Sequence, residues 1–176
     1  MARTLSGSVK IAIDMLLTNG TSGASDTTTI NRTATFANGT GANQAQREWT
    51  SIGRTLSASA TEDLDVFDLA SFDIGGGAGK DALGLSHAIT GIKMLYVHNR
   101  STSGGVLTVG NKNATTAFNT IFNASDVAAI TLAPGATFLF INESAAGVAV
   151  ADSSNHLLKF LDAGSGCTFD VSFIGI

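Results

Sequence analysis

The sequence predicts an all-β protein, an antiparallel β-sandwich or barrel formed by a single domain. Apolar and polar residues alternate with a period of two along many short segments, which is the pattern of a strand with one buried face. Glycine, asparagine, serine and aspartate separate these segments at spacings of about 8–12 residues. No long helical pattern lies between them. These features favour a sandwich or barrel over a parallel α/β sheet.

About eleven segments are predicted to be strands. The clearest alternation of apolar and polar residues occurs at residues 9–15, 92–98 and 168–173. The other predicted strands are short apolar runs bounded by turn residues, at residues 28–36, 47–52, 105–109, 117–122, 127–132, 137–141, 148–151 and 156–161. Between two of them, Pro134-Gly135 predicts a type II turn, because proline sets φ at the second position and glycine accepts a positive φ at the third.

The segment at residues 59–70 carries the strongest helix signal in the chain. Ser59 followed by Glu62 resembles a capping box. However, the apolar residues of the segment fit neither the helical nor the strand period, and three glycines follow at residues 75–77. A strand edge or a single helical turn is therefore predicted rather than a helix.

The stretch FANGTGANQAQREW, residues 36–49, is rich in glycine and amide residues and ends at the only tryptophan. It is predicted to be a connecting loop that leads into a strand bearing Trp49. Large aromatic residues stabilise both cores and interfaces, so Trp49 is interpreted as an anchor of one or the other.

The composition limits the classes of function. At 176 residues, the chain is long enough for one domain with a substantial core. A net charge of −4 with ten scattered basic residues lacks the basic surface of a nucleic-acid-binding protein. No apolar run approaches the roughly 20 residues of a membrane helix, and the alternating start does not resemble a signal peptide. We therefore expect a protein made in the cytoplasm, with no nucleic acid and no membrane as partner.

Sequence motifs for catalysis fail on their spacing. The segment IGGGAGKD, residues 74–81, is one residue too short before its Gly-Lys pair and continues with aspartate instead of serine or threonine. Ser86-His87 lacks the second glycine of a nucleophile elbow, because Ala88 stands there. Cys167 is expected to be a small buried hydrophobic residue. We predict no catalytic residue, no cofactor and no enzymatic activity.

Metal ligands are the remaining chemical candidates. His87, His98 and His156 lie far apart and lack the spacing of a zinc site. An acidic series could supply oxygen ligands to calcium, but it lacks the EF-hand spacing, and a solvated, charged edge accounts for the same residues. The acidic series consists of Glu62, Asp63, Asp65, Asp68 and Asp73. We predict no metal site.

Several segments of the chain resemble a family of small proteins encoded near the head genes of tailed bacteriophages and prophages. They are FANGTGANQAQREW at 36–49, RTLSASATEDLDV at 54–66, ITGIKMLYVHNRSTSGGVLTVGN at 89–111, FNTIFN at 118–123, LAPGATFLFI at 132–141, and GVAVADSSNHLLKFLDAGSGCTFDVSFIGI at 147–176. The resemblance runs from about residue 30 to the C-terminus.

The resemblance implies a non-enzymatic virion component, a β-sandwich of jelly-roll type that decorates or cements the capsid. It further implies the major capsid protein as partner, the capsid surface as location and a homo-oligomer, expected to be a trimer, as assembly. A tail, neck or fibre component of the same fold is the alternative structural role. A carbohydrate-binding module is the alternative from another class. It would need exposed aromatic platforms, whereas ten of the twelve aromatic residues are phenylalanine, which usually marks a core.

The first residues of the chain match the family least. We therefore divide the chain into residues 1–29, an N-terminal arm or first strand, and residues 30–176, the β-sandwich domain. The alternating Val9, Ile11 and Ile13 either complete a buried face of the sandwich or add a strand to a neighbouring chain. Together with Trp49, these three residues are the predicted interface candidates.

Overall fold

The computed structural model describes residues 4–18, 21–22, 24–69, 88–113, 118, 120–122 and 128–176. Within these residues, all regular secondary-structure elements are strands and none is a helix, which confirms the all-β class. The strands are β1 (Gly7–Thr18), β2 (Ser25–Asn38), β3 (Gln44–Ala45), β4 (Arg47–Leu56), β5 (Thr61–Asp65), β6 (Gly91–Asn99), β7 (Leu107–Asn111), β8 (Ala129–Leu132), β9 (Thr137–Ile141), β10 (Val148–Ala149), β11 (Leu157–Asp162) and β12 (Cys167–Gly175).

The described strands form three sheets. A five-stranded sheet has the order β10-β6-β12-β4, with β9 also paired to β6, and a four-stranded sheet has the order β5-β11-β7-β8. The third sheet has three strands in the order β1-β2-β3. All pairs are antiparallel except the short parallel contact between β2 and β3.

The main hydrophobic core contains side chains from both the five-stranded and the four-stranded sheet. Strand β12 alternates buried and half-buried residues along its whole length, as a strand with one face on the core should. Its Phe169 ring stacks on Phe160 of β11 with centroids 4.9 Å apart, so the two sheets meet directly. Trp49 of β4 is 1% exposed and lies 6.0 Å from the ring of Phe173.

An ion pair between a buried arginine and a half-buried glutamate also joins these two sheets. The guanidinium of Arg54 on β4 donates to the carboxylate of Glu62 on β5 and lies 5.8 Å from the centroid of the Phe169 ring. Burial lowers the pKa of Arg54, while the hydrogen bond and the charge of Glu62 act in the opposite direction. The charged side chain is therefore held in the core region by a specific partner.

Most predicted strands are confirmed, but the one at residues 117–122 is wrong. The N–H groups of Ile121 and Phe122 both donate to the carbonyl of Phe118, which closes a turn. Phe118 and Phe122 are 1% and 4% exposed, so these two rings belong to the core although they lie in a turn. Residues 117 and 119 lie outside the described part.

The ambiguous segment after Ser59 contains strand β5, in agreement with a strand edge rather than a helix. Ser59 itself lies in a turn with a positive φ of 61°. The strand ends at Asp65, whose carboxylate accepts hydrogen bonds from the N–H groups of Phe67 and Asp68. In this turn the Asp65 carboxylate accepts hydrogen bonds from backbone N–H groups, which in a helix would donate to backbone carbonyls instead.

The predicted Pro134-Gly135 turn is confirmed. It connects β8 to β9, and Gly135 has a φ of 78°, which a type II turn requires at its third position. The N–H of Ala136 donates to the carbonyl of Ala133 at 2.9 Å and closes the turn.

Candidate functional site

The first two strands form a long hairpin, called the arm below, which consists of β1 and β2. Every residue of β1 is paired, from Gly7 with Phe36 to Thr18 with Ser25. The predicted boundary between residues 29 and 30 falls inside β2, so the arm and its root extend past that boundary. In an antiparallel pair, residues directly opposite each other present their side chains on the same face.

The root of the arm packs on the rest of the protein. Ala34, Phe36 and Ala45 form a small second core, against which Val9 packs from β1 and Ile141 and Ile174 pack from the five-stranded sheet. Next to this core, the guanidinium of Arg32 donates to the carboxylate of Glu143 at 2.7 Å. These contacts fix the direction in which the arm leaves the protein.

Beyond its root, the arm is exposed on both strands. All residues at positions 12–18 and 25–33 are exposed. From Ile11, which pairs with Arg32, to Thr18 the strand covers about 24 Å at about 3.4 Å per residue. A hairpin of two strands is marginally stable by itself in water, so the outer arm is a strong candidate for contact with another molecule.

One face of the arm is apolar and continues the small core outward. We call the surface formed by Ile11, Ile13, Met15, Leu17 and Ile30 the apolar face. Ile13 lies opposite Ile30, and the exposed fractions of Ile13, Ile30, Met15 and Leu17 are 41%, 51%, 55% and 74%. The opposite face carries Lys10 and Asp14 among small and polar residues, although Leu16 is also exposed there.

The structure separates the four predicted interface residues into two groups. Val9 and Ile11 are half-buried and Ile13 is exposed, all on one face of β1, where a partner can reach them. Trp49 is buried in the main core. The interpretation of Trp49 as a core anchor therefore agrees with its position, and the alternative of an exposed interface anchor does not.

Met15, Leu17 and Ile30 belong to the same surface but were not predicted from the sequence. The period-two pattern at residues 9–15 continues to Leu17, so Leu17 was detectable in principle. Ile30 was not, because its position depends on the register between β1 and β2, which follows from pairing and not from either strand alone.

The glycine-rich stretch at residues 36–49 is an ordered connection into β4, as predicted. Its N–H and C=O groups pair within the loop, for example from Ala37 to Asn43 at 3.0 Å, and with neighbouring segments, for example from Gln46 to Gly175 at 2.9 Å. Strand β4 then begins two residues before Trp49. The loop therefore joins the root of the arm to the main core.

Lys93 was not predicted from the sequence to be a structural residue, although it binds a backbone carbonyl of this loop. Its side chain is fully buried and its ammonium group donates to the backbone carbonyls of Gly41, Ser144 and Ala145. The register between β6 and β12 shifts beside Lys93, as at a β-bulge, which redirects side chains. Burial lowers the pKa of Lys93.

The described members of the acidic series have basic partners in several cases. Glu62 binds Arg54, Asp63 lies 2.5 Å from the ammonium of Lys112, and Asp65 lies 3.1 Å from the ring of His156. Ion pairs therefore engage Glu62 and Asp63 of the predicted solvated edge. Among the described residues, no group of three or more His, Cys, Asp or Glu side chains could hold a metal ion. Asp73 and His87 lie outside the described residues.

Cys167 is buried beside Asp162. Burial raises the pKa of the Cys167 thiol to about 11, and the charge and hydrogen bond of Asp162 act in the same direction. The thiol is thus protonated at neutral pH, which does not suit a nucleophile. The other catalytic candidates, the segment at residues 74–81 and Ser86-His87, lie outside the described residues.

The carboxylate of Asp162 connects two turns to the core. It accepts hydrogen bonds from the N–H groups of Ser59, Gly164 and Gly166 at 3.0–3.1 Å. Burial alone would raise the pKa of Asp162, but these hydrogen bonds, together with the one from Cys167, outweigh burial and lower it.

A comparison of the chain with protein-family models and with curated proteins finds no match. In the part of the chain that the structure describes, no helical segment has the length and apolarity that crossing a bilayer requires.

Proposed function

We propose that the protein is a non-enzymatic structural component of a bacteriophage virion, a capsid decoration or cement protein that binds the major capsid protein. The observation that carries the proposal is the exposed apolar face of the arm. Exposed apolar surface of this kind marks sites of interaction with other molecules. The resemblance of residues 30–176 to small proteins encoded near phage head genes supplies the class of partner.

In this proposal, the five-stranded and four-stranded sheets are the two layers of a β-sandwich of jelly-roll type, and the arm is its extension toward the capsid. The shared core and the stacked rings of Phe160 and Phe169 support two packed layers. A rigid body with a projecting hairpin suits a protein whose work is surface contact rather than chemistry.

The location that follows is the capsid surface, after synthesis in the bacterial cytoplasm, and the assembly implied by the resemblance is a homotrimer. No cofactor, nucleic acid or membrane takes part. The ion pairs of Glu62 and Asp63 support a non-catalytic role, because they already engage two carboxylates of the acidic series.

Co-sedimentation with capsids that lack the protein tests the proposal, with wild type compared to Ile30→Asp and Asn31→Asp. Ile30 is on the apolar face, and Asn31 is the next residue of β2 on the opposite face; both are exposed. Burying the exposed part of an isoleucine contributes about 1 kcal/mol, and a buried carboxylate adds a further cost. We expect Ile30→Asp to bind at least about tenfold more weakly, and Asn31→Asp to bind as wild type does.

Equal binding by both variants would mean that the apolar face is not the contact. If wild type does not bind capsids, labelling intact virions with an antibody against the chain decides between the remaining roles. Label on the tail, neck or fibre supports the alternative structural component. Absence of label from the particle contradicts a virion role. For a glycan-binding module we find no favourable observation, since the exposed large hydrophobic residues of the described chain are all aliphatic.

A further inference from the structure

The outer edge of the arm is a free strand edge. In the three-stranded sheet β1 is the terminal strand, and within the described residues it pairs with β2 alone. Alternate residues of the twelve-residue strand β1 therefore present one row of backbone N–H and C=O groups to solvent. An edge of this length is a template for adding another strand.

Strand β1 is self-complementary in charge. Its only charged residues are Lys10 and Asp14, both exposed and both on the face opposite the apolar face. They lie two residues before and two residues after Ala12. Rotation by 180° about Ala12 therefore brings the position of Lys10 onto that of Asp14.

We propose that β1 pairs antiparallel with β1 of a second copy about a two-fold axis at Ala12. In this register, Lys10 of each copy lies opposite Asp14 of the other, which gives two ion pairs by symmetry. Ile11 lies opposite Ile13 of the second copy, and the two hairpins become one four-stranded sheet. Three or more strands are what a sheet needs for independent stability, so the pairing stabilises an arm that is marginal in the single chain.

Other registers lose the complementarity. If the register shifts by one residue, the apolar face of one copy lies on the same side of the sheet as the polar face of the other. A shift that keeps the faces aligned moves Lys10 away from Asp14, opposite residues such as Ala12 or Leu16. Parallel pairing in register brings like charges side by side. Only the antiparallel register centred on Ala12 satisfies both the charges and the apolar residues.

This contact uses the edge of β1, whereas the proposed capsid contact uses the apolar face, so the two can be tested separately. It is also separate from a threefold contact between the five-stranded and four-stranded sheets of different copies. If the arm pairing and the threefold contact are both present, two trimers are joined through their arms. The pairing therefore predicts an even number of 17.9 kDa chains in the free protein.

Charge exchange measures the pairing in solution. Light scattering over a range of concentrations is applied to wild type, Lys10→Glu, Asp14→Lys and the double variant Lys10→Glu/Asp14→Lys. Each single variant places like charges opposite each other twice per contact, and we expect dissociation to become at least about tenfold easier. The double variant restores both ion pairs with unchanged net charge and should associate as wild type does.

Cysteine cross-linking tests the register. Opposite residues of an antiparallel pair have Cβ atoms about 4.5–5.5 Å apart, at the outer limit of disulfide geometry. Under mild oxidation, Ala12→Cys should yield a disulfide-linked dimer. Asn31→Cys, which lies opposite Ala12 on the inner strand, should stay unlinked, as should wild type with its buried Cys167.

Several results would overturn the pairing. A free protein that stays monomeric, or an odd-numbered oligomer that Lys10→Glu does not affect, would contradict it. So would a double variant that self-associates as weakly as the single variants, or equal disulfide cross-linking at positions 12 and 31. Circular dichroism of each variant establishes that the fold is retained, as expected for exposed positions. Loss of self-association with retained capsid binding separates this contact from the proposed function.

Discussion

Removing the charge of Glu62 should destabilise the protein far more than removing that of its neighbour Asp63. The Arg54 side chain is 3% exposed, whereas its partner Glu62 is 26% exposed. The substitution Glu62→Gln keeps the volume and one oxygen acceptor, so it changes little except the charge that balances the guanidinium. The buried guanidinium of Arg54 would then face a neutral amide in place of the Glu62 carboxylate.

The size of the effect follows from burial. Breaking a buried ion pair by removing one partner costs about 3–5 kcal/mol. Because Glu62 is partly exposed and the glutamine still accepts a hydrogen bond, we expect the lower end, about 3 kcal/mol. The Asp63–Lys112 pair has side chains that are 29% and 40% exposed, and Asp63→Asn should cost below about 1 kcal/mol.

Equilibrium unfolding in urea, followed by tryptophan fluorescence, measures both variants against wild type. Trp49 is the only tryptophan and lies in the core, so it reports on the transition. The double variant Arg54→Met/Glu62→Gln provides a further check, since it removes the buried guanidinium together with the Glu62 carboxylate. It should be more stable than Glu62→Gln alone.

Equal losses of stability in Glu62→Gln and Asp63→Asn would refute this reasoning, because they would show that burial of Arg54 does not set the cost. A double variant that is less stable than Glu62→Gln would also contradict it, since the guanidinium would then stabilise the fold without the Glu62 carboxylate.

Three further expectations concern the core. Trp49→Ala should lower the free energy of unfolding by about 3–5 kcal/mol, whereas Ile30→Ala on the exposed arm should cost below about 1 kcal/mol; similar values in urea unfolding would contradict the assignment of Trp49 to the core. The lowered pKa of Asp162 means that its stabilising contribution is complete above its unfolded pKa and is lost as pH falls through the folded pKa. The stability difference between wild type and Asp162→Asn should therefore shrink below about pH 4, and a difference independent of pH would argue against it. With a thiol pKa of about 11, Cys167 should react with a thiol reagent only after unfolding, which absorbance of the released chromophore measures; rapid reaction in the folded state would contradict its burial.

The strands of the two larger sheets could be predicted because each buries one face. Alternation in β12 and the short apolar run of β9 indicate their positions directly, and the Pro134-Gly135 turn is determined by local backbone preferences. The predicted strand at residues 117–122 is wrong for a physical reason. An apolar run shows that residues are buried, but a loop that covers a core is buried as well.

The arm and Lys93 depend on long-range contacts that a single sequence does not encode locally. The sequence indicated Val9, Ile11 and Ile13 as one face, but their connection with Ile30 depends on the hairpin register. Lys93 has the pattern of a polar residue in an alternating strand, yet the register shifts beside it and its buried ammonium group donates to carbonyls of two distant loops. Such positions follow from tertiary packing.

A reconstruction of the intact virion whose genome encodes this chain tests the proposed role most directly. The proposal predicts copies of the protein on the outer surface of the capsid, with Ile13, Met15 and Ile30 of the arm in contact with the major capsid protein and β1 edges paired between copies. Capsids without this density, or copies that project the arm into solvent and bind through another surface, would contradict it.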